Sequence, residues 1–258
     1  MPSGRRSFPR RPHTLVGWLL VAAVAGAAIV VAGGAFVYFA VFGTSSPPPL
    51  ALSTPSSTTT GSGAQTSVVG AQTSVATAQL GGSWTVGNGS IAGYRVREQL
   101  GFLSAPSDAV GRTSSIKGAA TLTDSAGALT VTTASFTVDV STLTSDRSMR
   151  DERIRSIGLQ SDQYPTATFV LTSPIQLPTA TTTGQAVHVS AAGRLTIHGT
   201  TKTETIPLDA RLSGAQIEVV GSITFPWSDF GMQAPSVGGF VTVTEQATME
   251  FDLHLQHS

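Results

Sequence analysis

The chain has 258 residues and no cysteine, which excludes disulfide bridges, thiolate metal sites and cysteine nucleophiles. Its formal net charge is zero, but all fifteen acidic residues lie at Glu98 or later, whereas the chain from Arg95 onwards contains only eleven Lys and Arg. A mildly acidic downstream part without a basic stripe is unsuited to gripping a phosphate backbone, so nucleic acid is not an expected partner.

The first charged residues stand directly before a long apolar segment. Residues 15–42 contain no charged side chain, and about 20 apolar residues are enough to cross a bilayer. We predict a single transmembrane helix over residues 15–42, preceded by a cytoplasmic basic N-terminus over residues 1–14 with Arg5, Arg6, Arg10 and Arg11. The positive-inside rule then predicts a cytoplasmic (inner) membrane protein whose C-terminal domain lies outside. A cleaved secretory signal is the alternative, although its apolar region usually spans only about 7–15 residues.

The next stretch has a different composition. Residues 43–81 carry no charge and consist mainly of Ser, Thr, Pro, Gly and Ala, and the sequence GAQTSV occurs twice among them. Such a composition buries too little apolar surface to offset the entropy of the chain. We therefore predict a disordered linker over residues 43–81, followed by a folded domain over residues 82–258.

The domain is built from short runs that alternate apolar and polar residues. In the clearest run, Val241–Leu255, the odd positions are apolar and the even positions are polar, as in a strand with one face on a core. Several such runs predict an antiparallel sandwich or barrel, which alternation alone does not distinguish. Glu245 is the one charged residue on the apolar face of this run. It indicates a bulge, a water-filled barrel mouth, an arginine partner or a polar contact for a ligand.

One short helix is expected between the strands. Its predicted N-cap is Thr144 or Ser145, and Gly158 marks its end. The apolar side of this helix is predicted to contain Met149, Ile154 and Ile157.

Catalytic and metal-binding motifs are missing from the sequence. It contains no Walker A, HExxH or GxSxG motif, so we predict no enzymatic activity and no catalytic residues. His254 and His257 are close in sequence, but a zinc site needs further ligands on a rigid support, and no metal is predicted. The glycine-rich residues 87–93 are interpreted as a turn between strands.

Several short motifs follow one another along the domain in a characteristic order. They are Trp84–Val86, Tyr94–Arg97, Val110–Thr113, Phe136–Leu143, Arg150–Asp151, Tyr164–Phe169, Gly193–Lys202 and Asp229–Gly231. Through these motifs, residues of about 83–257 resemble the YceI-like family of polyisoprenoid-binding, lipocalin-like proteins.

The resemblance implies an all-β fold, namely an eight-stranded antiparallel lipocalin-like barrel with one short helix and a tunnel for a long isoprenoid chain. The expected function is that of a membrane-anchored extracytoplasmic lipid-binding protein, without a cofactor other than a bound isoprenoid lipid. The residues expected to line the tunnel are Phe136, Val138, Leu195, Ile197, Ile223, Phe225, Met249 and Phe251, with Glu245 and Arg150 as candidate polar contacts. The alternative is a structural or interaction domain of the cell envelope whose barrel is packed solid. The oligomeric state stays open.

Overall fold

The computed structural model describes residues 46–54, 80–100, 106–125, 128–178, 184–235 and 241–258. Within these ranges, twelve strand segments form one antiparallel sheet. Their bounds are β1 Gly82–Val86, β2 Ile91–Leu100, β3 Ser107–Thr113, β4 Ile116–Ser125, β5 Ala128–Asp139, β6 Thr144–Ser145, β7 Thr166–Leu171, β8 Ile175–Gln176, β9 Ala186–Ile197, β10 Thr200–Ser213, β11 Gln216–Pro226 and β12 Val241–His257.

The twelve segments occupy eight strand positions, because four positions each contain two segments in line. β1 and β2 both pair with β12, and they also pair with β4 and β3, respectively. β5 and β6 lie beside β4 and β3, and β7 and β8 both lie beside β5. The order then runs β7, β9, β10, β11 and β12, which brings the sheet back to its start. The fold is therefore a closed eight-stranded antiparallel barrel, as the family resemblance implied.

The glycine-rich turn predicted near residue 88 lies between β1 and β2. Asn88 and Gly89 form the turn, and Gly89 has a φ of 91°, a conformation that favours glycine. The buried hydroxyl of Ser90 donates to the carbonyl oxygen of Gly87 at 2.9 Å and accepts from the backbone N–H of His254 at 2.9 Å. The turn is thereby tied to β12, and both β1 and β2 stay paired with that strand.

One end of the barrel is closed by short helical segments. Helix α1 (Ser148–Arg153) continues into a π-helical turn (Ile154–Gly158), and a 3-10 turn (Trp227–Phe230) follows β11. The buried side chains of Ile154, Trp227 and Phe230 pack with inward-facing strand residues in one apolar core, where Phe230 is completely buried. We call this end of the barrel the closed end.

The short helix differs from the prediction in its cap and in its apolar face. Thr144–Ser145 form β6 and pair with β3, so Arg147 is the N-cap residue instead. Met149 is 78% exposed, whereas Ile154 is buried. The physical reason is that α1 buries none of its residues, and only the π-helical turn after it faces the core.

Four aromatic rings on the inner face of the barrel cover glycines of adjacent strands. A Cβ atom added at any of these glycines would lie between 2.3 and 2.6 Å from an atom of the ring. Each ring therefore occupies the volume of the missing side chain and follows the barrel wall, as in aromatic rescue of glycine. The pairs are Tyr94 over Gly111, Phe136 over Gly118, Phe169 over Gly193 and Phe251 over Gly221.

Residues 46–54, which we call the outer strap, lie within the linker predicted over residues 43–81 and contain no helix or strand. The strap is bound to the outside of the barrel, for example where Ser53 donates its backbone N–H to Oε1 of Glu218 at 2.6 Å. Composition did not reveal this binding, because the strap has no charges of its own and the charged partners belong to the barrel. Residues 43–45 and 55–79 of the predicted linker lie outside the described residues.

The predicted basic N-terminus (residues 1–14) and the predicted transmembrane helix (residues 15–42) also lie outside the described residues. Among the residues that the structure does describe, no helix has the length and apolarity needed to cross a bilayer. The α-helical and π-helical segments, of six and five residues, belong to the closed end of the barrel.

The packing of the Phe251 ring over Gly221 can be tested by adding one methyl group at Gly221. In Gly221→Ala the new Cβ would lie 2.6 Å from Cζ of Phe251 and 2.8 Å from Cδ2 of Leu208. We expect the free energy of unfolding to fall by about 1–3 kcal/mol, because the ring must leave the wall. Gly81→Ala is the control, since its nearest neighbour would be 3.5 Å away. Urea unfolding of both variants measures the difference, and equal stability would contradict the assignment.

Candidate functional site

The inside of the barrel holds an apolar cavity of about 170 Å³. For comparison, an engineered apolar cavity of about 150 Å³ in another protein stays dry and binds benzene. All but two of the lining residues are apolar, and they come from strands all around the barrel. The lining includes Ile116, Ala120, Val131, Phe136, Phe169, Ile206, Leu208, Val219, Phe251 and Leu253.

A second cavity of about 30 Å³ lies towards the closed end. Its lining includes Ile154, Trp227 and Met232 from the segments that close the barrel. The two cavities share four lining residues, namely Ala92, Val138, Ala167 and Met249. Among these four, only methionine has a long, unbranched and adaptable side chain. Rotation of Met249 is therefore the simplest way to join the two spaces.

The exposure of the inward-facing residues agrees with an open interior. Phe136, Val219 and Phe251 face the cavity, yet each is only half-buried. In a close-packed core such side chains would be covered by neighbours on all sides. Because these residues line the cavity, the surface that they leave uncovered faces it.

Among the described residues, β8 and β9 are neighbours without strand pairing, and we call the boundary between them the seam. β7 pairs with β9 through Leu171↔Gly193, and Thr172 adds one hydrogen bond of 2.9 Å to the carbonyl oxygen of Ala192. After Thr172, in the described part of the chain, β8 is paired with β5, and the first half of β9 is paired with β10. Ile175 and Val189 line the cavity on the two sides of this seam.

The two polar lining residues are Thr168 and Glu250. The carboxylate of Glu250 forms ion pairs with Arg112 at 2.9 Å and Arg95 at 3.4 Å, and neither arginine lines the cavity. Within the described residues, the charge of Glu250 is therefore directed to the outside of the barrel. A ligand in the lumen would be held by apolar contacts.

A group of polar side chains lies near the closed end. Arg150 donates to Oε1 of Glu98 at 2.7 Å and also pairs with Asp146. Burial opposes the charge of Arg150, but its bond with Glu98 and the charge of Asp146 hold the pKa of Arg150 above its ordinary value. Burial likewise raises the pKa of the Tyr94 hydroxyl far above its usual range. Both groups therefore keep one protonation state at neutral pH.

One cluster of possible metal ligands lies on the outer face of β11 and β12. The ligand atoms of Glu218, Asp252 and His254 all lie within 4.8 Å of one another. However, Oε1 of Glu218 accepts from Ser53 at 2.6 Å, and its Oε2 accepts from the Arg211 guanidinium at 2.6 Å. A neighbouring guanidinium repels a cation, so this arrangement fits a hydrogen-bonded network better than a metal centre.

A family model described as the YceI-like domain matches residues 67–255, which is most of the chain. The chain belongs to the YceI-like family. Among solved structures, this YceI-like barrel is similar to a polyisoprenoid binding domain from Saccharophagus degradans implicated in plant cell wall breakdown. That likeness has a TM-score of 0.50 and 15% identity and covers 69% of this chain and 99% of the other, which shows a shared fold.

The barrel is also similar to Burkholderia cenocepacia BcnA, with a TM-score of 0.43 and 21% identity over 62% of this chain and 95% of that one. A comparison with curated proteins finds no match.

Eight residues predicted to line the tunnel of this YceI-like barrel do lie around the two cavities. Those lining the larger cavity are Phe136, Val138, Leu195, Ile223, Met249 and Phe251. Ile197 and Phe225 line the smaller cavity instead, together with Val138 and Met249. Sequence alternation therefore identified the inner face of the strands correctly, although it could not divide this face between two spaces.

The two predicted polar contacts lie elsewhere. Glu245 is exposed and lines neither cavity, because the pairing of β12 with β2 is irregular between Val243 and Ala247. This bulge removes Glu245 from the inner face while Val243 and Ala247 stay buried on either side. Arg150 lines neither cavity because its guanidinium is bound to Glu98 beside α1.

Several lining residues were missed by the sequence analysis. They come from strands all around the barrel, and they include Phe169 on β7 and Ile206, Leu208 and Ala210 on β10. The signal was present on β10, where these apolar residues alternate with Pro207 and Asp209. A proline and an acidic residue interrupt the usual composition of a strand and concealed the alternation.

Free space in the lumen predicts opposite effects for two otherwise similar substitutions. Ala210 lines the larger cavity, whereas Ala109 is 1% exposed in the packed core at the closed end. We expect Ala210→Leu to raise the free energy of unfolding by about 1 kcal/mol by filling apolar space. We expect Ala109→Leu to lower it by about 1–3 kcal/mol through overpacking. Chemical denaturation of the two variants measures both changes, and a similar loss in both would show that the lumen is not free.

Proposed function

We propose that this barrel binds one isoprenoid or similar long apolar chain in its lumen and that it acts as a binding protein and not as an enzyme. The observation that carries the proposal is the apolar cavity of about 170 Å³ where a barrel of this size could be packed solid. Leaving such a space empty costs about 4 kcal/mol at roughly 24 cal/mol per Å³. A bound apolar chain offsets that cost by filling the space.

The chemistry of the lining supports an apolar ligand. Burial of apolar surface contributes about 25 cal/mol per Å², so a hydrocarbon chain needs no polar anchor to bind. No charged group of the described residues points into the lumen, and such a site lacks the nucleophile, acid and base that catalysis requires. The family and the polyisoprenoid binding domain from Saccharophagus degradans support the choice of an isoprenoid. The cavity favours binding over the alternative of a solid envelope domain.

The proposal includes the place where the protein works. The apolar segment over residues 15–42 supplies a single-pass anchor in the cytoplasmic membrane, and the four arginines before it favour an outside position for the barrel. A barrel attached to a membrane can collect a lipid without carrying it far through water. The support for this part of the proposal is the sequence pattern.

The first test is the recovery of lipid with the full-length protein. We expect native mass spectrometry and lipid extraction to show one bound apolar lipid per chain in protein purified from its own membranes. In Ala134→Phe a large side chain enters the lumen, and we expect the lipid to be lost while thermal unfolding stays cooperative.

The matched control is Ser135→Phe, which places the same side chain on the neighbouring, exposed position. This control should retain the lipid. Lipid-free wild-type protein that takes up no added polyprenyl lipid would overturn the proposal, and so would equal lipid content in the two variants.

The length of the bound chain is predicted to depend on Met249, which lies between the two cavities. Met249→Ala should join the spaces and shift binding towards longer polyprenyl chains, and Met249→Phe should shift it towards shorter ones. Competition among polyprenols of graded length measures the preference. An unchanged preference in both variants would show that the chain does not extend towards the closed end.

A further inference from the structure

Three charged side chains on the outside of the barrel are unexpectedly buried. Glu218 and Arg211 stand between inward-facing residues of β11 and β10, so they face outwards. The carboxylate of Glu250 is also directed outwards, because it pairs with Arg95 and Arg112, which do not line the lumen. Yet the side chains of the two glutamates are each only 3% exposed and that of Arg211 only 8%. Charged groups are seldom buried without partners, and on the outer face of a barrel a further element must cover them.

The first half of the outer strap supplies partners at one end of this face. Arg95 Nη2 donates to the carbonyl oxygen of Pro47 at 2.8 Å. Arg112 Nη2 donates to the carbonyl oxygen of Pro48 at 2.6 Å. The same two guanidinium groups hold the buried carboxylate of Glu250. Two successive carbonyls of the strap therefore accept hydrogen bonds from the two arginines of one ion cluster.

The second half of the strap is held at a second ion cluster. The backbone N–H and the hydroxyl of Ser53 donate to the two carboxylate oxygens of Glu218 at 2.6 and 2.9 Å. Arg211 donates to the hydroxyl of Ser53 at 2.9 Å and also to its carbonyl oxygen. Burial alone would raise the pKa of Glu218, but the bonds from Ser53 and Arg211 lower it below its ordinary value. The charged form of Glu218 is thus the form that binds the strap.

The length of the strap matches the width of this face. The contacts run from Asp108 on β3, past β2, β12 and β11, to Arg211 on β10, and these five strands are neighbours in the barrel. Four gaps of about 4.8 Å between neighbouring strands give a width of about 19 Å. The seven steps from Ser46 to Ser53, at about 3.1 Å each in a polyproline-like chain, give about 22 Å. The strap therefore crosses the strands as an extended chain.

The sequence of the strap suits this mode of binding. Pro47, Pro48 and Pro49 have no N–H to satisfy, and their fixed φ angles keep the chain extended at low entropic cost. Leu50 and Leu52 are half-buried, whereas Ala51 between them is exposed. The strap thus combines carbonyl acceptors for arginines, apolar side chains and a serine clamp in nine residues.

We propose that the outer face formed by β3, β2, β12, β11 and β10 is a second binding site, specific for an extended proline-rich peptide, and that residues 46–54 of the same chain occupy it. The recognition elements are the Arg95–Arg112–Glu250 cluster at one end and the Arg211–Glu218 clamp at the other. The site lies on the opposite side of the wall from the lumen and is independent of the lipid proposed there.

The test asks whether the strap stays bound when the chain between it and the barrel is cut. A protease site is inserted within residues 55–79 of the full-length protein, which also carries an N-terminal affinity tag. After cleavage in detergent, we expect the barrel fragment to be retained by the tag through the strap. We also expect excess synthetic peptide Ser46–Thr54 to release the barrel fragment.

The informative variant is Ser53→Pro, which removes the backbone N–H and the hydroxyl that donate hydrogen bonds to Glu218. Hydrogen bonds to a charged group of this kind are worth about a 10- to 100-fold change in affinity each, so retention should be lost. Ala51→Ser is the matched control on the exposed side of the strap and should be retained like the wild type. Release of the wild-type barrel on cleavage, or equal retention of Ser53→Pro, would overturn the proposal. Neither readout depends on lipid in the lumen.

Discussion

The pairing of the last strand with the first strand position is the interaction on which the rest of this structure depends. β12 pairs with β11 on one side and with both β1 and β2 on the other. Without the second set of pairs the sheet would have two free edges, and no lumen would exist. Closure satisfies the backbone groups of both edges and brings the apolar faces of all the strands together around one axis.

Closure alone does not leave a cavity, because eight strands enclose just enough room for their own side chains. The inner face here gains space by combining aromatic residues with glycines. Where Phe136, Phe169 and Phe251 cover glycines, a large ring takes the place of two ordinary side chains. Small residues such as Ala120, Ala134 and Ala210 add to the same effect. The closed end shows the opposite solution, because Trp227 and Phe230 are buried there and the cavity beside them measures about 30 Å³.

The sequence predicted the inner face well, because an alternating strand in a two-sided wall has only two possible orientations. Alternation failed at Glu245, since a bulge breaks the period of two that the prediction assumes. The contacts of the outer strap could not be predicted, because composition describes only the segment itself and not its partners. Whether the core is solid or hollow could not be predicted, since Phe136 or Ile223 would face inwards in either case. Only the distances between side chains decide that question.

The pairing of β12 with β1 also determines when the barrel can close during synthesis. β1 is the first strand of the barrel to be synthesised and β12 is the last, so the ring cannot form until the whole chain is available. Contacts between residues so far apart in sequence form slowly. The apolar faces of the earlier strands are therefore enclosed only after these contacts have formed. A lumen that is completed only by the last strand cannot be filled during synthesis. Any ligand is therefore enclosed when the ring closes or later, and not while the earlier strands are being synthesised.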